Sequence, residues 1–222
     1  MLSEMNVKQA HKLIAVMGGT FDPVHNGHLR SALELCQLLG LAEVRMLPCH
    51  QPTHRSRPGA SSEQRLEMLE LAIAGEEALV VDDREILSDR PSYSVYTLES
   101  MRNEYGPETG LCWVMGIDAF ASFSRWNQWE RILKLANLVV LTRPGYQLSP
   151  GSVEAQIWQA RHIRPEQLPY QLAGGIVPVS LPSQLEISAT YIRQQLFRGQ
   201  SARYLLPECV LSYAQAHALY RC

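Results

Sequence analysis

The chain has 222 residues, 46% apolar and 19% charged, an ordinary balance for a globular protein with room for a substantial core. Its 20 lysines and arginines against 22 acidic residues leave a formal net charge of −2, so there is no basic field for a nucleic acid and none is expected as a partner. No apolar run approaches the length of a membrane span, the amino end lacks a charged-then-apolar signal pattern, and the five cysteines are scattered without paired spacing; a soluble protein of the reducing cytoplasm is expected.

The first predicted element is a strand over Leu13–Met17, followed at once by Gly18-Gly19-Thr20-Phe21-Asp22-Pro23-Val24-His25-Asn26-Gly27-His28-Leu29-Arg30. Gly18 and Gly19 lack a Cβ, so the backbone there can turn sharply and let a large anion approach its N–H groups. Asp22-Pro23 is a turn signal that keeps the helix from starting earlier. Asn26 then reads as the N-cap, with Leu29, Leu33, Cys36 and Leu39 at helical spacing until Gly40. That puts His28 in the first turn and His25 just outside it, where free N–H groups and the positive helix end favour an anion. Both imidazoles can then donate to charge developing on one phosphate.

Other readings of this string are weaker. Zinc needs further ligands at workable spacing, and neither His50 nor His54 comes with a Cys-x-x-Cys. The glycines match neither Gly-x-Gly-x-x-Gly nor a Walker loop. A plain Gly-Pro turn before a buried helix, with solvated histidines, explains the glycines but not their combination with Asp-Pro and His-x-x-His.

Beyond this helix the elements alternate. Strands are predicted at Glu43–Leu47, Ala78–Val81, Leu111–Met115, Leu138–Leu141 and about Ile176–Val179. Helices are predicted from a Ser61/Gln64 capping box to about Ala74, from Tyr93 to about Glu104, and from Trp126 to Leu135, with two more closing the chain. Pro48–Gly59 reads as a long loop and Gly145–Gly175 as a less regular stretch. This alternation argues an α/β fold with a doubly wound parallel sheet. Nothing splits the chain, so residues 1–222 are expected to form a single domain, with C-terminal helices from about 188 packing on the sheet. Ligands of such sheets bind beyond the carboxyl ends of the strands, which directs attention to the residues after strands one, two, four and six.

The string Thr20 to His28 resembles the T/H-x-G-H signature of the nucleotidyltransferase superfamily, and the whole of Gly18–Leu29 most resembles the bacterial nicotinate mononucleotide adenylyltransferases. The resemblance implies a Rossmann-like nucleotidyltransferase fold and adenylyl transfer from ATP to nicotinate mononucleotide in NAD biosynthesis. It places Gly18, Gly19, Thr20 and Phe21 at the ATP phosphates and assigns Gln51-Pro52-Thr53-His54-Arg55 to a basic phosphate element, of which His54 and Arg55 carry the charge. Pro91-Ser92-Tyr93-Ser94-Val95-Tyr96-Thr97-Leu98 resembles the family's Ser-Tyr-Thr segment, whose backbone reads the pyridine carboxylate, which implies Tyr93 and Ser94 there, and Trp126 falls where the family stacks a tryptophan on that ring. Asn127 replaces the aromatic residue that some relatives carry next to it. Gly116 and Ile117 are implied to frame adenine, Asp118 to accept from the ATP ribose, and Arg143 to lie near the ATP site.

A second motif, Ile187-Ser188-Ala189-Thr190-Tyr191-Ile192-Arg193, looks like the superfamily's I-S-S-T-x-I-R with Ala189 in place of a serine. Ser188 and Thr190 stand at a helix start, and Arg193 can reach the same anion. Two phosphate-binding helix starts in one chain point to a polyphosphate. No nucleophile is paired with a base, so direct in-line attack on the α-phosphorus is expected. His25, His28 and Arg193 would neutralise charge, with Mg²⁺ held by the triphosphate and water rather than by a protein cage. Sibling transferases acting on phosphopantetheine or glycerol phosphate, and a non-catalytic nucleotide-binding protein, remain as alternatives.

Overall fold

The computed structural model describes residues 10–50, 59–143 and 145–221. Among these residues, six strands, β1 (Leu13–Gly19), β2 (Val44–Pro48), β3 (Leu79–Val81), β4 (Gly110–Gly116), β5 (Asn137–Thr142) and β6 (Ile176–Ser180), form one sheet in the order β3-β2-β1-β4-β5-β6. Every pairing is parallel, so the doubly wound sheet expected from the alternation is present. Strand order reverses between β1 and β4, and the end of β1 is therefore where a crevice opens.

Among the described residues, eight α-helices accompany the sheet: α1 (Asn26–Leu39), α2 (Ser62–Ile73), α3 (Ser94–Tyr105), α4 (Ile117–Phe120), α5 (Trp129–Leu135) and α6 (Val153–Arg161) between strands, with α7 (Ala189–Phe197) and α8 (Glu208–Ala216) after the last. Alternate residues of each strand face opposite ways, which splits the core into two layers. Ala15, Met17, Val114 and Val139 pack with Leu35 of α1, Met68 of α2, Ile192 of α7 and Val210 of α8. Ile14, Val16, Trp113 and Val140 pack with Leu98 of α3, Phe120 of α4, Ile132 of α5 and Ile157 of α6. Strands covered on both faces read as continuous apolar runs, which is why they were visible in the sequence.

Three local expectations need correction. The N-cap of α1 is His25, not Asn26; the Asn26 side chain donates instead to Tyr204 O at 2.8 Å, and its amide to Leu205 O at 3.0 Å. The helix expected from Trp126 begins three residues later: Phe123–Arg125 form a 3-10 turn that Trp126 closes, and Gln128 at φ 49° enters α5. The stretch from Gly145 to Gly175 contains α6, capped by the Ser152 hydroxyl accepting from Ala155 N, and a 3-10 turn at Pro165–Tyr170. The Ser61/Gln64 capping box of α2 is formed as read.

Candidate active site

A cleft of about 1020 Å³ opens over the carboxyl ends of the strands. Gly18 and Gly19 from the end of β1, Cys49 after β2, Gly116 ending β4, Arg143 after β5, and Ser188, Thr190 and Arg193 after β6 all line it. The glycine turn is shaped by close approach. A Cβ on Gly19 would fall 2.8 Å from Phe21 Cε1, and Phe21 itself holds φ at 48°. The Asp22–Pro23 peptide is cis.

His25 and His28 sit across the first turn of α1, and the spacing of three stacks their rings at a centroid distance of 3.6 Å. His28 Nδ1 accepts from the His25 backbone N–H at 3.3 Å, which assigns the proton of a neutral His28 to Nε2. The edge of Phe21 meets His28 at 5.0 Å. His25 is 3% exposed, its Nδ1 is buried with no hydrogen-bond partner among the described residues, and burial pulls its pKa down to about 4. The ring is therefore neutral at pH 7. Gly27 between them is fixed by packing, because a Cβ there would lie 3.1 Å from His25 Nδ1 and 3.5 Å from Ile187 Cβ. The two motif segments thus touch.

At the start of α7 the Ser188 hydroxyl accepts from Tyr191 N at 3.2 Å, capping its own helix. Arg193 donates from Nη2 to Thr190 Oγ1 at 3.3 Å and from Nη1 to the carbonyl oxygen of Asp22 at 2.7 Å. One guanidinium therefore bridges both motifs. At the other end of the cleft lie Ser92, Tyr93 and Ser94 at the start of α3, with half-buried Trp126 and exposed Asn127. Tyr93 is the N-cap, and its amide donates to Pro91 O at 2.7 Å, so the first-turn amides offered there begin with Ser94. Trp126 leans on buried Phe123 at 5.7 Å, and Trp129 packs against the same ring.

Ile117 and Asp118 do not line the cleft. The Ile117 side chain is buried in the core, and Asp118 is exposed and 3.4 Å from Arg143 Nη1. His54 and Arg55 lie outside the described residues. Two side chains that the sequence did not single out support the site. Arg65 of α2, 1% exposed, donates from Nη1 to Thr20 O at 2.7 Å and from Nη2 to Ser62 Oγ at 3.0 Å, holding the glycine turn from beneath. Glu85, 7% exposed, accepts from the Thr97 hydroxyl and lines the cleft, with its carboxyl pushed up by burial. The Arg65–Thr20 and Glu85–Thr97 contacts join residues well apart in sequence, and neither side chain's neighbours give a local sign of them.

The sheet order, the glycine turn and the paired imidazoles at a helix start define a nucleotidyltransferase, and the chain belongs to the cytidylyltransferase-like family, whose model matches residues 16–195. More narrowly, the chain belongs with the nicotinate-nucleotide adenylyltransferases. It is 44% identical to a probable nicotinate-nucleotide adenylyltransferase of Pseudomonas putida over 98% of this chain and 99% of that protein. It is 46% identical to one of Cellvibrio japonicus over 94% of this chain and 98% of the relative. Among solved structures it is similar in fold to a Plasmodium falciparum nicotinic acid mononucleotide adenylyltransferase complexed with NaAD, at TM-score 0.71 and 17% identity, covering 95% of this chain and 98% of that one.

No helix among the described residues is long and apolar enough to cross a membrane.

Proposed function

We propose that this protein transfers the adenylyl group of ATP to nicotinate mononucleotide, releasing pyrophosphate and forming nicotinate adenine dinucleotide. The observation that carries this reading is the convergence of two helix starts, α1 and α7, on one cleft with two imidazoles and Arg193 between them. Such a site is built for phosphate groups. The phosphate of nicotinate mononucleotide is ionised at neutral pH and needs no general base, so catalysis reduces to alignment and to neutralising charge on the α-phosphate and leaving group.

His28 from Nε2, neutral His25 and Arg193 supply those donors. Gly18, Gly19, Thr20 and Phe21 bring backbone to the triphosphate, and Ser188 and Thr190 hold α7 and Arg193 in place for it. Gly116 and Arg143 line the adenosine side; Ile117, its side chain turned into the core, has only backbone to give adenine, and Asp118 must leave Arg143 and turn toward the cleft to accept from a ribose. Tyr93, Ser94 and Trp126 take the pyridine: the first-turn amides suit a carboxylate, which favours nicotinate over its amide, and the indole stacks on the ring. His54 and Arg55 are assigned to the mononucleotide phosphate. Among the described residues no three His, Cys, Asp or Glu side chains group as metal ligands. The donor set suits anions, and Mg²⁺ fits as an ion carried by the triphosphate and water, lowering the charge that the protein must offset. We assign residues 1–222 to one catalytic domain that includes α7 and α8, working in the reducing cytoplasm where the four described cysteines, all free, are stable.

Incubation with ATP and nicotinate mononucleotide should give the dinucleotide and pyrophosphate in equal amounts. With a phosphorothioate stereocentre at the α-phosphorus the product should be inverted; retention would point to a covalent intermediate and overturn the direct in-line step.

A further inference from the structure

Asp22 lies in the catalytic turn with a carboxylate that is 3% exposed and almost fully occupied. Its Oδ2 accepts from Gly59 N at 2.8 Å, and its Oδ1 accepts from Ala60 N at 3.1 Å and from the Tyr220 hydroxyl at 2.7 Å. Tyr220 follows α8, far away in sequence. Its ring also covers Gly59, where a Cβ would fall 3.1 Å from Tyr220 Cε1.

Arg193 stands beside this carboxylate without closing on it. Nη1 is 2.7 Å from the Asp22 carbonyl oxygen but 3.6 Å from Oδ2. A guanidinium next to a buried carboxylate favours a two-pronged pair, and such a pair here would turn its donors and its charge away from phosphate. Three donors already on the carboxylate oppose that collapse. The Tyr220 phenol is pushed up by burial and then by the Asp22 charge, so it keeps its proton and remains a donor.

Resting on the adenylyl-transfer reading, we propose that Tyr220 is a positioning residue for the reaction: by donating to Asp22 it keeps Arg193 free to hold phosphate. The hydroxyl acts through Asp22 and touches no substrate.

The test is a double-mutant cycle on the full chain, with Tyr220→Phe, Arg193→Ala and the double variant assayed for pyrophosphate release from ATP and nicotinate mononucleotide, and Tm measured for each. Losing one hydrogen bond to a charged group should lower kcat about tenfold in Y220F, with KM for nicotinate mononucleotide within about twofold. In the Arg193→Ala background the same change should alter kcat by less than about twofold, because the group it positions is gone. Wild-type kcat in Y220F overturns the proposal, and so does an equal loss in both backgrounds, which would mark a purely structural role. If wild-type protein releases no pyrophosphate when nicotinate mononucleotide is added, the functional reading fails instead.

Discussion

The imidazole of His28 lies on that of His25, ring centroids 3.6 Å apart and planes 21° from parallel. Two stacked rings cannot both carry charge cheaply, and burial settles which stays neutral: His25, whose pKa is drawn down to about 4. His28 is less buried and is oriented by the backbone N–H of His25. On the proposed reading, the pair offers a phosphate two N–H donors without storing two positive charges beside each other.

Replacing His28 by Ala should cost on the order of 10²–10³ in turnover, the usual effect of removing one preorganised donor from a developing charge. Its ring is partly exposed, so the fold should survive. Steady-state kinetics alongside circular dichroism checks this, and near-wild-type turnover in a folded variant would remove His28 from the chemistry.

His25 should make stability depend on pH. Its folded pKa of about 4 lies below the ordinary 6.5, so between these values the unfolded chain binds the extra proton. The stability that goes with a neutral, buried His25 is complete above pH 6.5 and is lost as pH falls toward 4, by at most about 3 kcal/mol. Thermal unfolding across that window should therefore show a shallower pH dependence in His25→Asn than in the wild type; parallel curves would contradict the assignment.

Trp126→Ala should raise KM for nicotinate mononucleotide roughly tenfold through lost stacking, while KM for ATP stays within about twofold. An equal rise for ATP would mean that the pyridine and adenosine ends of the cleft are exchanged.

Arg65→Met strips the support from Thr20 O and removes one donor from the Ser62 hydroxyl, which keeps its contacts with His50. A loss on the order of 2–4 kcal/mol in denaturant unfolding is expected, with turnover falling as the glycine turn loosens. Unchanged stability would show that the turn holds itself.

The strands, the Ser61/Gln64 cap and the Gly40 stop were legible because each is set within a few residues by periodicity or by one side chain's chemistry. The two motif segments were legible for the same reason. Trp126 was displaced because Gln128, not a glycine, takes the positive φ that separates it from α5, a choice no local rule signals. His25 took the N-cap although asparagine is the commoner capping residue, since Asn26 is claimed by Tyr204 O and Leu205 O across the fold. Arg65 and Tyr220 meet their partners only after the sheet has assembled, and their roles belong to tertiary structure.

One assay tests the proposed reaction most directly: pyrophosphate release from ATP with nicotinate mononucleotide, its amide, phosphopantetheine or no acceptor. Release that requires a mononucleotide, prefers the acid to the amide and is absent with phosphopantetheine is the predicted result. Release driven by phosphopantetheine, or ATP binding with no release under any condition, would contradict it.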